Sequence, residues 1–228
     1  MKKIPKEAYF IIAGISIVLY LAGVFTGILT ERYLSQKTLE ELRKLNEEIN
    51  NLRVETENLQ LESLLFLASP SEKNCQILSS LMQNIEAELR EFWKKLPARL
   101  EAYEKYGPIT AEYEELKRNY AFVSIRAWII SKTLKERCDP NIVPVLYFYS
   151  RYNADECLKQ GFALDNFRRY AKENGKIPMV FTIDMTLDEP IIKVILDSYG
   201  ITRAPAVIID SKVFQGYTNE TVLFSAIS

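Results

Sequence analysis

The sequence predicts an α/β chain in which an N-terminal transmembrane helix, a helical stalk and an α-helical hairpin precede a C-terminal α/β domain. Three observations carry this. An uncharged apolar run extends from Tyr9 to Thr30, leucine and isoleucine recur at helical spacing through the middle of the chain, and from residue 141 onward short apolar runs bounded by turn residues alternate with amphipathic segments. The 228 residues divide accordingly into 1–8, 9–30, 31–68, 69–140 and 141–228.

Composition excludes several functions. Twenty-nine Lys and Arg against 30 Asp and Glu give a net charge of −1, and no basic stripe interleaves with aromatics, so no nucleic acid partner is expected. Histidine is absent, which removes Ser-His and Cys-His nucleophiles and the usual zinc ligand sets. No metal site and no cofactor is called for.

The run from Tyr9 to Thr30 is about 22 residues, enough to cross a bilayer as a helix. A cleaved signal peptide is the alternative, but its apolar region spans only about 7–15 residues and an A-x-A site follows it; no clear one follows here. Lys2, Lys3 and Lys6 precede the run, whereas Glu31 and Arg32 nearly cancel after it. The positive-inside rule then places the N-terminus in the cytoplasm and the rest of a single-pass cell-membrane protein outside, although Arg43, Lys44 and Arg53 stand on the far side. The first partner is thus the lipid bilayer. Gly23 and Gly27 form a G-x-x-x-G that would let two such helices approach closely, one route to a homodimer.

In the stalk, Leu42, Leu45, Ile49, Leu52 and Leu59 fall on alternating a and d positions of a heptad, with Thr56 as a polar break. Two readings stay open: a short parallel coiled coil, with Glu48 pairing with Arg53 of a second copy, or one amphipathic helix lying on the rest of the protein. Ser69-Pro70-Ser71-Glu72 then restarts a helix, with Ser69 as N-cap, Pro70 at the first helical position and Glu72 completing a capping box. Leu78, Leu81, Met82, Ile85, Leu89, Phe92 and Leu96 mark its buried face up to Pro97, which is expected to end it. Tyr113, Leu116, Tyr120, Val123, Ala127, Ile130 and Leu134 mark a second long helix, closed by Cys138-Asp139-Pro140.

Antiparallel packing of these two helices brings Cys75 and Cys138 to the same end of the hairpin, where a disulfide is geometrically natural. Cys138 and Cys157 flank instead the strand Pro144 to Ser150, whose length of roughly 23 Å at about 3.3 Å per residue is beyond disulfide reach. In an oxidising compartment the three cysteines resolve into one bridge and one leftover thiol.

The last third reads as a strand to Ser150, a helix carrying Cys157, a strand from Pro178 to Asp184, a helix ending at Tyr199-Gly200, then strands at Ala206 to Asp210 and near Val213 to Gly216. This order, with the stretch Tyr199-Gly200-Ile201-Thr202-Arg203-Ala204-Pro205-Ala206-Val207-Ile208-Ile209, resembles the thioredoxin superfamily over residues 142–228. The superfamily places C-x-x-C at the start of its first helix. Leu164, seven residues after Cys157, and Phe167 set the register: Cys157 matches the buried resolving cysteine, and Ala154 takes the place of the nucleophile. Asn153 with Glu156 reads as an N-cap and capping box. The resemblance also implies a cis bond before Pro205 and a groove for extended polypeptide lined by Tyr152, Cys157, Arg203, Ala204 and Pro205.

Only a thiolate attacks a disulfide, and alanine supplies none. The expected function is a membrane-anchored, extracytoplasmic thioredoxin-like binding or chaperone-type module without dithiol redox activity, holding a polypeptide client or a membrane-protein partner. Two alternatives remain: a monothiol thiol-disulfide oxidoreductase with Cys157 as its catalytic group, and a membrane-associated coiled-coil scaffold. Asn219-Glu220-Thr221 is an N-x-T sequon, and Asn219 is equally the N-cap of a final helix.

Overall fold

The computed structural model describes residues 6–68, 72–106 and 111–227. The chain divides into two units, Met1–Lys44 and Leu45–Ser228. Three long helices come first, α1 (Lys6–Ala68), α2 (Glu72–Tyr106) and α3 (Ala111–Arg137). A shorter set follows: β1 (Ile142–Tyr149), a 3-10 turn at Arg151–Asn153, α4 (Ala154–Glu173), β2 (Ile177–Asp184), α5 (Pro190–Ser198), β3 (Ala206–Ile209), β4 (Lys212–Gln215) and α6 (Glu220–Phe224).

The protein is therefore mostly helical with one small mixed sheet, which corrects the expectation of an α/β chain. The excess comes from α1 to α3; in α2, α3 and the part of α1 from Leu45 to Thr56, residues recurring every three or four positions bury helix faces rather than sheet faces. A second correction concerns the N-terminus. Among the described residues no helix is long and apolar enough to cross a membrane. The transmembrane helix at Tyr9 to Thr30, the single-pass topology and the cell-membrane location drawn from it are not supported.

The stalk face is occupied within the chain. Leu45, Ile49, Leu52 and Thr56 are all at most 3% exposed, and Arg126 of α3 reaches Glu57 at 2.8 Å. Arg53 pairs with Glu57 of its own helix at 3.1 Å. Of the two readings, the amphipathic helix on its own protein holds here: the seam that a coiled-coil partner would need is already buried. The side chains of Leu42 and Leu59, and the Ser69–Ser71 restart, lie outside the described residues. Pro97 does not end its helix; α2 continues to Tyr106. An interior proline removes one backbone bond at about 3 kcal/mol, and here the backbone helix runs through it.

Cys75 and Cys138 are joined by a disulfide, with Cα atoms 5.4 Å apart. Such a bond is compatible with an extracytoplasmic, oxidising location. It closes the hairpin at the end where α3 gives way to β1.

The sheet order is β2-β1-β3-β4. β1 runs parallel to β2, with Tyr147 opposite Thr182 and Tyr149 opposite Asp184, and antiparallel to β3, with Tyr147 opposite Val207. β3 and β4 pair antiparallel around Asp210, which adopts a left-handed φ of 56°, a conformation an aspartate tolerates better than most side chains. β1 is continuously apolar and almost wholly buried, as a central strand should be. Val143, Val145 and Tyr147 join Leu164 and Phe167 of α4, Val207 and Ile209 of β3, and Leu223 near the C-terminus in one core.

α3 is clamped to this core along its length. Lys117 pairs with Asp184, Tyr120 shares a 2.8 Å hydrogen bond with Thr182, Arg118 pairs with Glu189, and Lys135 meets Asp210 at 2.5 Å. Glu86 of α2 likewise holds Arg168 of α4 at 2.5 Å, both side chains 11% exposed.

Candidate functional site

The site is built where β1 ends and α4 begins. Ser150 terminates β1, and its hydroxyl accepts the amide of Tyr152 at 3.2 Å, starting the 3-10 turn that swings the chain into α4. Tyr152 projects from this turn 75% exposed. Ala154 opens α4, and Cys157 lies one turn inside it, 8% exposed.

Two bonds fix the cysteine. Its Sγ accepts the Ser150 amide at 3.4 Å, and its carbonyl accepts the Tyr147 hydroxyl at 2.8 Å. Burial pushes the Tyr147 phenol well above its ordinary value, so it stays a neutral donor there. Cys157 is the free cysteine among the described residues, and the thiols of Cys75 and Cys138 are spent on each other. No second sulfur is available to it.

Facing α4 is the loop before β3. Ala204 and Pro205 are buried, with the bond between them cis, and Arg203 beside them is exposed. The loop is pinned from β4: Gln215 accepts the Thr202 amide at 3.0 Å and donates to the Gly200 carbonyl at 2.8 Å. Gly216, at φ 82°, has the Arg203 guanidinium 3.1 Å from where a Cβ would stand, so this glycine serves both its backbone conformation and the packing of Arg203.

Asn153 links the two sides. Its side-chain amide donates to the Ala204 carbonyl at 3.0 Å, and it makes no side-chain cap on α4. The capping box expected with Glu156 is not formed: the Asn153 side chain is turned to Ala204, 51 residues away, and its oxygen accepts no amide of the first turn. The expected groove residues Tyr152, Cys157, Arg203, Ala204 and Pro205 all belong to this turn, helix start and loop; Asn153, which joins them, was legible only as a helix cap. Asn219 does cap α6, accepting the Val222 amide at 3.0 Å.

A recess of about 330 Å³ between α3 and α5, lined by Trp128, Lys132, Val194 and Tyr199 among others, contains none of these residues. Lys132 fills part of it from within, lying over the Trp128 ring at 4.9 Å and donating to the Tyr199 hydroxyl at 3.1 Å. Among the described residues there is no cluster of His, Cys, Asp and Glu suited to a metal ion.

No protein-family model matches this chain, and no curated protein or solved structure matches it either.

Proposed function

We propose that residues 142–228 form a thioredoxin-like polypeptide-binding module that does not exchange disulfides. The observation that carries the reading is the pairing of Ala154 at the first position of α4 with a Cys157 that is buried and hydrogen-bonded to Ser150. A thiol-disulfide exchanger needs an accessible thiolate at the helix start, and this position holds a methyl group.

Further support comes from the sheet order β2-β1-β3-β4, with α4 as the crossover between the parallel strands and β3 antiparallel. Tyr152 at 75% exposure, together with Leu158 and Phe162 at 62% each, offers apolar surface on and beside the first turns of α4. An extended client would lie across the turn at Tyr152 and the loop at Arg203-Ala204, taking backbone hydrogen bonds from the loop and apolar contacts from Tyr152.

The test places a photo-crosslinking amino acid at position 152 of the full chain and presents an unfolded, thiol-free polypeptide. Crosslinks to the client are expected, with insulin reduction at background in the presence of a regenerating thiol. Insulin turnover abolished by Cys157→Ser would replace this reading with the monothiol oxidoreductase.

A further inference from the structure

Asn153 occupies a position with two competing uses. As the residue before α4 it stands where a side-chain oxygen normally accepts an amide of the first turn, and Glu156 is placed three residues on to reach back. It does neither in this structure: its φ of −122° and ψ of 44° come with no cap bond, and its amide goes to the Ala204 carbonyl. That carbonyl belongs to the groove on which the proposed function rests. The neighbouring Pro205 carbonyl is already committed to Gly216 at 2.8 Å. Asn153 is itself exposed, so water or a ligand can reach the bond.

We propose that Asn153 is a built-in plug of the groove. Its primary amide imitates the backbone N–H of an extended client and occupies the Ala204 acceptor while the groove is empty. When a client supplies its own N–H to that carbonyl, the Asn153 side chain turns back to cap α4, where its oxygen accepts the amide of Asp155 or Glu156 and the helix recovers the cap it lacks. Trading a bond donated by the side-chain NH2 for one accepted by its oxygen keeps the opening inexpensive, and only a ligand with a correctly placed N–H displaces the plug. The inference depends on the polypeptide-groove reading and adds its regulation.

Three forms of the full chain separate the ideas: Asn153→Asp, which can cap but cannot donate to Ala204; Asn153→Ala, which can do neither; and Tyr152→Ala, which weakens the groove and leaves the plug. The probe is a fluorescein-labelled, reduced and carboxymethylated α-lactalbumin, followed by anisotropy. Both Asn153 variants are expected to bind it about fivefold more tightly than the natural chain, the factor one ordinary hydrogen bond commands. Asn153→Asp is expected to melt above Asn153→Ala. In the natural chain, the Asn153 side-chain amide protons should move in NMR spectra as the probe is added. Unchanged or weaker affinity in both Asn153 variants, with Tyr152→Ala still weakening binding, would overturn the plug and leave the groove standing. Absence of saturable binding by every form would overturn the groove and the plug with it.

Discussion

Lys117 of α3 pairs with the carboxylate of Asp184 at the end of β2, where the aspartate side chain is 1% exposed and the lysine 13%. The same carboxylate accepts the Thr186 amide at 2.9 Å and its hydroxyl at 2.7 Å. One buried charge thereby joins the helical hairpin to β2 opposite Tyr149, beside the end of β1 where the candidate site begins.

Breaking such a pair from one side leaves the other charge buried without its counter-charge, at a cost of about 3–5 kcal/mol. Lys117→Met is accordingly expected to lower stability by that order in urea unfolding. A change below about 1 kcal/mol would show that the pair is open to solvent.

The Cys75–Cys138 bridge closes a loop with a sequence separation of 63. Chain entropy assigns a closure of that size about 4 kcal/mol. Replacing both cysteines with alanine should therefore cost about 4 kcal/mol in denaturant unfolding while leaving client binding intact, since Tyr152 and Ala204 are positioned by β1 and β3. Peptide mapping without reductant should recover the Cys75–Cys138 pair and one free thiol at Cys157.

The buried seam of α1 makes a separate prediction. Ile49 is 0% exposed inside its own chain, so Ile49→Ala should destabilise the protein by about 2–5 kcal/mol. The melting temperature of the natural chain should not depend on protein concentration if this seam is filled internally. A concentration-dependent melt, lost in Ile49→Ala, would restore the coiled-coil dimer.

Alkaline pH probes the core. Burial pushes the Tyr120 phenol up to about 12, and burial holds Tyr147 and Tyr149 above the ordinary phenol value, with the Asp184 charge adding to the effect on Tyr149. The unfolded chain loses these protons near pH 10, so the native state keeps them longer. Their contribution is complete below about pH 10 and is lost as pH rises through the native values, at roughly 1 kcal/mol per pH unit for each tyrosine. Phenolate absorbance should show these tyrosines titrating together with unfolding. Ordinary titration of all 13 tyrosines near pH 10 with the fold intact would contradict this burial.

Much of the local structure was legible because its causes are local. Apolar runs bounded by turn residues located the four strands, Asn219 reached only three residues ahead to cap α6, and antiparallel helices sufficed to pair Cys75 with Cys138. What failed depended on partners distant in sequence. An apolar a and d face at Leu45, Ile49 and Leu52 buries equally well against a second copy or its own chain, and spacing does not distinguish them. Asn153 looked like a cap because its other partner, Ala204, is brought near only by the folded sheet. Propensity alone makes Pro97 a terminator, which a long helix can override. The α/β expectation gives the sheet too much weight against three long helices, and the apolar run near the N-terminus suggests a membrane span that no described helix supports.

The most direct measurement is equilibrium binding of a carboxymethylated, thiol-free polypeptide to the natural chain, to Cys157→Ala and to Tyr152→Ala. Such a probe cannot exchange disulfides, so any binding reports the groove alone. Saturable binding that is unchanged in Cys157→Ala and weakened in Tyr152→Ala is the predicted result. No binding of this probe, with capture only of thiol-bearing polypeptides and its loss in Cys157→Ala, would contradict the binding-module account.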